Sequence, residues 1–260
     1  NTKDERDVFS VDELRTIFSK KILKLMYPDD KEWLKFLESD YFASYKFGAL
    51  TGMRSAEIRA LCSAQIQNKR ILIVNRAFKE KNTKSSSIGK PKQNKSRVIV
   101  LCDSAYNIIK KKIYVEDKYD YIFKNDTGNN ALEVSKWNKK WVYFIGKIQA
   151  KLPQVFGDRY FTPHCLRKTL NTLLINKYRC NNELVVDYLG WGESGNQTAL
   201  SKVQREHYLI TKAQDLLPIA QTIERMYSGR EMLWTVANIN DKTQSDAELN
   251  KAIMILEISP

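Results

Sequence analysis

Apolar residues recur every three or four positions along most of the chain, a spacing typical of amphipathic helices. Start and stop signals agree with it. Ser10 and Glu13 form a capping-box pair, and Gly52 and Gly229 follow helical segments as stop residues. The pattern therefore predicts a mostly helical chain. The predicted helical stretches are 10–26, 32–50, a segment beginning near 55, 104–141 with a turn at 125–128, and 161–228.

Two segments instead carry runs of β-branched residues. They are 70–78 and 96–101, and both predict strands. The stretch 79–95 between them is rich in Lys, Ser and Asn, so it is either a basic finger at a hairpin tip or a disordered solvent loop. The whole pattern predicts a mainly α fold with a small antiparallel β-sheet, an α+β class.

The charge balance adds a candidate partner. The chain has 43 Lys and Arg residues against 30 Asp and Glu residues, a formal net charge of +13. This excess favours nucleic acid, although a merely basic surface fits the same number. No apolar run approaches ~18 residues, so we expect no membrane span.

The cysteines and the first residue indicate the setting of the chain. Cys62, Cys102, Cys165 and Cys180 lack the spacing of a zinc site or a disulfide framework, which favours a reducing cytoplasm. Because the chain begins at Asn1 rather than at Met, we expect a fragment or a processed product.

The segment 161–169, FTPHCLRKT, predicts a helix start that can bind a phosphate. Thr162 suits the N-cap and Pro163 the first helical position. His164 and Arg167 share a face of the first turn, beside free backbone N–H groups. Taken alone, the motif also fits a solvated helix start that carries a histidine by chance.

The segment 51–58, TGMRSAEI, places Arg54 at the start of a new helix, just after the break at Gly52. This position again points a guanidinium at an anion. Glu57, three residues on, can fix the helix start or hold the guanidinium.

The order of the motifs is more specific than any one of them. TGMRSAEIRAL, a β-hairpin with lysines, TPHCLRKT, DYLGW and a tyrosine on a late helix follow one another between about Phe9 and Tyr208. This order resembles the tyrosine recombinase family of the phage-integrase type. The resemblance implies that family's catalytic-domain fold over residues 8–230, without its N-terminal core-DNA-binding domain. We expect 231–260 to be a tail that docks on a neighbouring protomer or on its own domain.

The resemblance also implies catalytic residues. Arg54 matches the first catalytic arginine of the family, and His164 and Arg167 match its HxxR pair. Trp191 stands after Leu-Gly, where most members have histidine and some have tryptophan.

A lysine and a tyrosine complete the implied site. Lys92 matches the hairpin lysine, with Lys90 and Lys95 as rivals. Tyr208, in SKVQREHYLI, matches the nucleophile, and Tyr227 is a distant rival.

Two departures from the family pattern and one further tyrosine bear on this assignment. Tyr208 follows Trp191 by 17 residues, a longer gap than the family usually has, and Cys165 replaces an acidic residue common inside HxxR. Tyr188 lies among apolar neighbours, so we expect it in the core.

The resemblance implies a site-specific DNA recombinase or integrase of a phage or mobile element, which cleaves and rejoins DNA through a 3′-phosphotyrosyl intermediate. The implied partners are double-stranded DNA at attachment sites, further copies of the chain in a tetramer on DNA, and accessory DNA-bending or directionality proteins. We expect no cofactor and no metal, and a location at the nucleoid in a bacterial cytoplasm. A telomere resolvase, a type IB topoisomerase-like enzyme and a catalytically decayed DNA-binding factor are the alternatives.

Overall fold

The structure is a computed structural model that describes residues 7–81, 85–92, 96–113, 117–191 and 202–235. For residues 80–81, 85–86 and 202–210 it describes the backbone alone. The described chain is mostly helical with small antiparallel sheets, which confirms the predicted fold class. None of its helices combines the length and the apolar character that crossing a bilayer requires.

The N-terminal helices are shorter than the sequence predicts because serines interrupt them. Ser10 and Glu13 form the predicted capping box. Ser19 and Ser39 each accept a hydrogen bond from a backbone N–H three residues ahead, at 3.4 and 3.5 Å, and each starts a new helix. The two long helices predicted here are therefore each divided in two. The helices are α1 (Val11–Ile17), α2 (Lys20–Met26), α3 (Lys31–Glu38), α4 (Asp40–Thr51) and α5 (Ser55–Arg59).

The predicted strand 70–78 is two strands that belong to different sheets. Asn75 and Arg76 separate the two strands, and the buried Asn75 side chain accepts a hydrogen bond from Gln65 Nε2 at 3.1 Å. Much of the predicted loop 79–95 is a two-stranded ribbon formed by β3 and β4, while β1, β2 and β5 form a three-stranded antiparallel sheet. The strands are β1 (Ile66–Gln67), β2 (Ile71–Val74), β3 (Ala77–Lys81), β4 (Ser85–Gly89) and β5 (Arg97–Val100).

The helix predicted over 104–141 is wrong in its middle, because the described part of 110–133 is not helical. Here the Ile122 N–H donates to Leu61 O at 2.9 Å, so a long-range contact overrides the local pattern. The later helical stretch ends as predicted, with Gly229 at φ +70°. The helices are α6 (Asp103–Ile109), α7 (Val134–Lys151), α8 (Pro153–Phe156), α9 (Pro163–Thr172), α10 (Asn182–Leu189) and α11 (Lys202–Ser228), with a π-helical turn at Leu173–Lys177.

An aromatic cluster joins α3, α4 and α7 in the core. Trp33, Phe36, Tyr45, Trp141 and Phe144 are all buried. The rings of Tyr45 and Trp141 meet edge to face with their centroids 5.1 Å apart, and such pairs contribute about 0.5–1.5 kcal/mol beyond the area they bury. This packing fixes α4, whose C-terminal end leads into the candidate site.

Candidate active site

Two glycine turns bring the candidate site together. α4 ends at Gly52 with φ +62° and α10 ends at Gly190 with φ +74°, both in the left-handed region that glycine adopts without strain. A Cβ on Gly52 would lie 2.3 Å from Leu189 Cδ2, so any other residue would displace the Leu189 side chain that packs between the two helix ends. Because Arg54 and Trp191 closely follow these turns, the contact gathers both residues in one place.

The start of α9 has the predicted caps. Thr162 is the N-cap and Pro163 the first helical residue. The sulfur of Cys165 accepts the Thr162 N–H at 3.1 Å, so the residue that departs from the family pattern takes part in the cap. The apolar face predicted for this helix lies in the core, as Leu166, Leu170, Leu173 and Leu174 show.

Arg167 projects from α9 and is only 2% exposed. Its Nη1 donates to Gly52 O at 2.5 Å and its Nη2 donates to Leu189 O, so the ends of α4 and α10 hold its guanidinium. Its Nε is buried and has no hydrogen-bond partner among the described residues. Burial, together with the nearby charges of Arg97 and Arg54, lowers the pKa of Arg167 to about 9, so the group is still protonated at neutral pH.

Arg54 lies beside this pair of helix ends. Its Nη1 donates to Glu57 Oε1 at 2.9 Å, and its Nη2 donates to Gly190 O at 3.4 Å. The Arg54 backbone N–H also donates to Glu57 Oε2, at 2.8 Å. Glu57 thus fixes the helix start and holds the guanidinium at once, the two roles that the sequence suggested.

Arg97 is a site residue that the sequence analysis missed. Its Nη1 and Nη2 donate to the two carboxylate oxygens of Glu57, at 2.9 and 2.8 Å. Burial by itself would raise the pKa of Glu57, but Arg97 and Arg54 outweigh it and lower that pKa to about 2. The sequence feature that could have identified Arg97 is a cation at the start of the otherwise apolar strand RVIV. A charge buried in such a strand needs a partner of opposite charge.

A cleft of about 250 Å³ opens beside these arginines. Arg54, His164 and Arg167 all line it, so the structure brings together three of the predicted catalytic residues. His164 lies exposed on the first turn of α9. Trp191 is 44% exposed, and the centroid of its indole ring lies 4.8 Å from Arg167 Cζ.

The lysine candidates lie on the segment between β4 and β5. Lys92 is exposed and Lys90 is half-buried, whereas Lys95 lies outside the described residues. Neither Lys90 nor Lys92 is among the described residues that line the cleft. The choice among the three lysines therefore stays a prediction.

Tyr208 lies on α11, but its side chain is outside the described part of the structure. Lys212, one turn further along, forms an ion pair with Asp187 of α10. This pair holds the first half of α11 against the helix that ends at Gly190.

The other two tyrosines considered have buried hydroxyl groups. Tyr188 lies in the core as predicted, and its hydroxyl donates to Val100 O at 3.2 Å. The Tyr227 side chain is half-buried, but its hydroxyl is buried and has no hydrogen-bond partner in the described part of the chain; burial raises its pKa well above the ordinary value.

Known proteins resemble the chain in sequence pattern and in fold. The sequence model of the phage integrase family matches residues 15–199 of this chain. No curated protein matches the chain. Among solved structures, a Tn1549 transposon integrase fragment with circular-intermediate DNA has 15% identity and a TM-score of 0.58, over 74% of this chain and 60% of that one. The same integrase with transposon right-end DNA has 15% identity and a TM-score of 0.59, over 79% of this chain and 67% of that one.

The fold is that of a tyrosine recombinase catalytic domain. The family model matches well over half of the chain, so the chain belongs to the phage integrase family. It spans 60% of the length of the first structure it matches.

Proposed function

We propose that this protein is a site-specific DNA recombinase, an integrase of a phage or another mobile element, that cleaves and rejoins DNA through a 3′-phosphotyrosyl intermediate. The observation that carries the proposal is the group formed by Arg54, Arg97, Arg167 and Glu57, here called the arginine cluster.

The arginine cluster holds an excess of positive charge away from water. Among the described residues, Arg54 and Arg97 pair with the Glu57 carboxylate and Arg167 lies within electrostatic reach of it, so three positive charges share one negative charge and two are left uncompensated. Such an excess is costly in a poorly solvated place, and an anion relieves it. The Nε of Arg167, which has no partner among the described residues, is a further donor for this anion.

A phosphodiester undergoing attack fits this charge. It carries one negative charge in the ground state and gains a second from the attacking phenolate. Two uncompensated positive charges therefore match the transition state better than the substrate, which is the condition for catalysis. Arg54 and Arg167 would bind the non-bridging oxygens.

The remaining residues move protons and place the phosphate. The Tyr208 oxygen attacks phosphorus while the bond to the 5′ oxygen of the next nucleotide breaks. His164 accepts the phenolic proton, because a tyrosine with an ordinary pKa of ~10 is protonated at neutral pH. Lys92 donates a proton to the leaving 5′ oxygen, and Trp191 packs against the phosphate or donates its N–H to it.

Rejoining is the same chemistry in reverse. The 3′-phosphotyrosyl bond replaces one phosphate ester with another, so a 5′ hydroxyl can attack it and release Tyr208 without an external energy source. We therefore propose that the chemistry needs neither a cofactor nor a metal ion.

The position of α11 supports Tyr208 as the nucleophile. Tyr208 precedes Lys212 by four residues, so the two positions lie on the same side of the helix. The Lys212–Asp187 pair faces that side of α11 toward α10, whose end at Gly190 belongs to the site. The long gap after Trp191 is thus compatible with a tyrosine close to the arginine cluster.

Double-stranded DNA at attachment sites is the proposed substrate. The formal charge of +13 favours it, and the similar Tn1549 integrase structures are complexes with DNA. We further propose a tetramer on DNA, accessory DNA-bending or directionality proteins, and action at the nucleoid of a bacterial cell.

Covalent capture from a randomised DNA pool tests the proposal. Each duplex carries one 5′-bridging phosphorothiolate between random flanks, so cleavage releases a thiol that rejoins poorly and the adduct accumulates. We expect the wild type to retain a defined sequence after denaturation. The variant Tyr208→Phe should form no adduct yet bind the selected duplex in a native gel.

Each other outcome has a distinct meaning. Adducts formed by Tyr208→Phe would assign the nucleophile elsewhere, with Tyr227 the next candidate. Relaxation of supercoiled plasmid at many sites would indicate a topoisomerase, and hairpin products a telomere resolvase. Sequence-specific binding by the wild type without any adduct would contradict the proposed activity and favour a decayed enzyme.

A further inference from the structure

Arg97 connects three parts of the candidate site although no motif pointed to it. It is the first residue of β5 and is buried. Besides its two bonds to Glu57, its Nε donates to Tyr188 O at 3.2 Å, near the end of α10. A Cβ on Gly190 would lie 2.6 Å from Arg97 Cδ, so the turn after α10 packs directly on this side chain.

Both Glu57 oxygens are shared between Arg97 and Arg54. Oε1 accepts from Arg97 Nη1 and from Arg54 Nη1, each at 2.9 Å. Oε2 accepts from Arg97 Nη2 and from the Arg54 backbone N–H, each at 2.8 Å. The carboxylate that orients Arg54 is therefore itself oriented by Arg97.

The second ligand of Arg54 depends on Arg97 as well. Arg54 Nη2 donates to Gly190 O, and Gly190 belongs to the turn that rests on the Arg97 side chain. Both groups that fix the Arg54 guanidinium thus rest on one residue of β5. A side chain that only filled space could not hold the carboxylate by two parallel hydrogen bonds.

We propose that Arg97 is a positioning residue for phosphate binding, which holds Glu57 and Gly190 so that the Arg54 guanidinium points at the anion. This rests on the proposed function, in which Arg54 binds the scissile phosphate. Lysine cannot replace Arg97, since one ammonium group cannot bond two carboxylate oxygens and a carbonyl in this planar arrangement.

The test compares Arg97→Lys and Arg97→Met with a matched control, Arg70→Met. Arg70 also pairs with a buried carboxylate, that of Asp103, but this carboxylate accepts the Leu233 N–H instead of holding Arg54. Cleavage is measured on the selected duplex with either an ordinary scissile phosphate or a methylphosphonate. The methyl group replaces a non-bridging oxygen, so the methylphosphonate lacks the negative charge that the guanidinium binds. Orthovanadate, an anion that mimics phosphate, is titrated in parallel without DNA by its effect on the melting temperature.

We expect both Arg97 variants to cleave the phosphodiester on the order of 100-fold more slowly, the usual effect of a misplaced catalytic group. The loss should be much smaller on methylphosphonate, and orthovanadate should bind more weakly. Arg70→Met should lower the melting temperature while leaving the rate ratio of the two substrates and orthovanadate affinity unchanged.

Several results would overturn the role of Arg97. An equal loss on both substrates would indicate general damage to the fold, and a wild-type rate for Arg97→Lys would show that bidentate bonding is unimportant. Unchanged orthovanadate affinity in both variants would also contradict the proposal. If the wild type forms no adduct with DNA, the proposed recombinase activity fails, while the orthovanadate titration still decides whether Arg97 shapes the anion site.

Discussion

The substitution Glu57→Gln removes the one carboxylate of the arginine cluster and keeps the shape of the side chain. The Glu57 pKa of about 2 lies roughly 2.5 units below the ordinary value of 4.5. At 1.36 kcal/mol per unit, this shift corresponds to about 3 kcal/mol of stability. Removing one partner of a buried ion pair costs about 3–5 kcal/mol, which agrees. We therefore expect the variant to lose about 3 kcal/mol in free energy of unfolding at pH 7.

The loss should depend on pH in a defined direction. The folded-state pKa of Glu57 is lower than its unfolded value, so its contribution is complete above a pH of about 4.5 and disappears as the pH falls toward about 2. The stability difference between wild type and Glu57→Gln should therefore be constant near neutrality and shrink in acid.

Urea denaturation at a series of pH values, followed by tryptophan fluorescence, measures this difference. Glu38→Gln is the matched control, because Glu38 pairs with Lys20 and Lys24 at the surface with its side chain 57% exposed. Such surface pairs contribute about 0–1 kcal/mol, so the control should change little. A loss for Glu57→Gln no larger than that of the control, or one unchanged by acid, would refute the reasoning about the arginine cluster.

Three further predictions concern catalysis and assembly. Cleavage should be indifferent to EDTA, and a loss of cleavage on chelation that Mg²⁺ restores would contradict the mechanism. The logarithm of the DNA-binding constant should fall by about 0.9 per neutralised phosphate for each unit of log salt concentration. Lys92→Ala should slow phosphodiester cleavage by about 10²–10⁴-fold, but the variant should cleave the 5′-phosphorothiolate at the normal rate, because a thiolate leaves without a proton. The same behaviour in Lys90→Ala or Lys95→Ala instead would assign the proton donor to that lysine. Truncation after Thr235 should leave a domain that binds DNA but assembles and recombines poorly on paired sites in native gels, since it removes the apolar segment 249–258; unchanged complexes would argue against docking between protomers.

The truncation point follows from the structure. The sequence predicted that the tail begins at 231, but Met232 and Trp234 are buried against the domain, and the Leu233 N–H donates to Asp103 Oδ2 at 2.6 Å. A cut after Arg230 would remove these contacts as well and would confuse loss of assembly with loss of stability. The rest of the predicted tail, 236–260, lies outside the described residues.

Several features that depend on near neighbours in the chain were predicted correctly, although the helix starts at Ser19 and Ser39 were not. The cap at Ser10, the left-handed stop at Gly52 and the start of α9 at Thr162 and Pro163 are chemistry between residues at most four apart. The same holds for Glu57 and Arg54, which are three residues apart. The order of the motifs then identified the family without any coordinates.

Features that depend on distant residues were decided by the tertiary structure alone. The stretch 110–133 has a helical pattern, yet contacts with residues such as Leu61 hold its described part in another conformation. The ion pair between Arg97 and Glu57 spans 40 residues, and the bond from Arg97 to Tyr188 spans 91. Neither periodicity nor a local motif carries information about contacts of this range. The sequence therefore determined which groups could perform the chemistry, and packing decided which buried charge holds them in place.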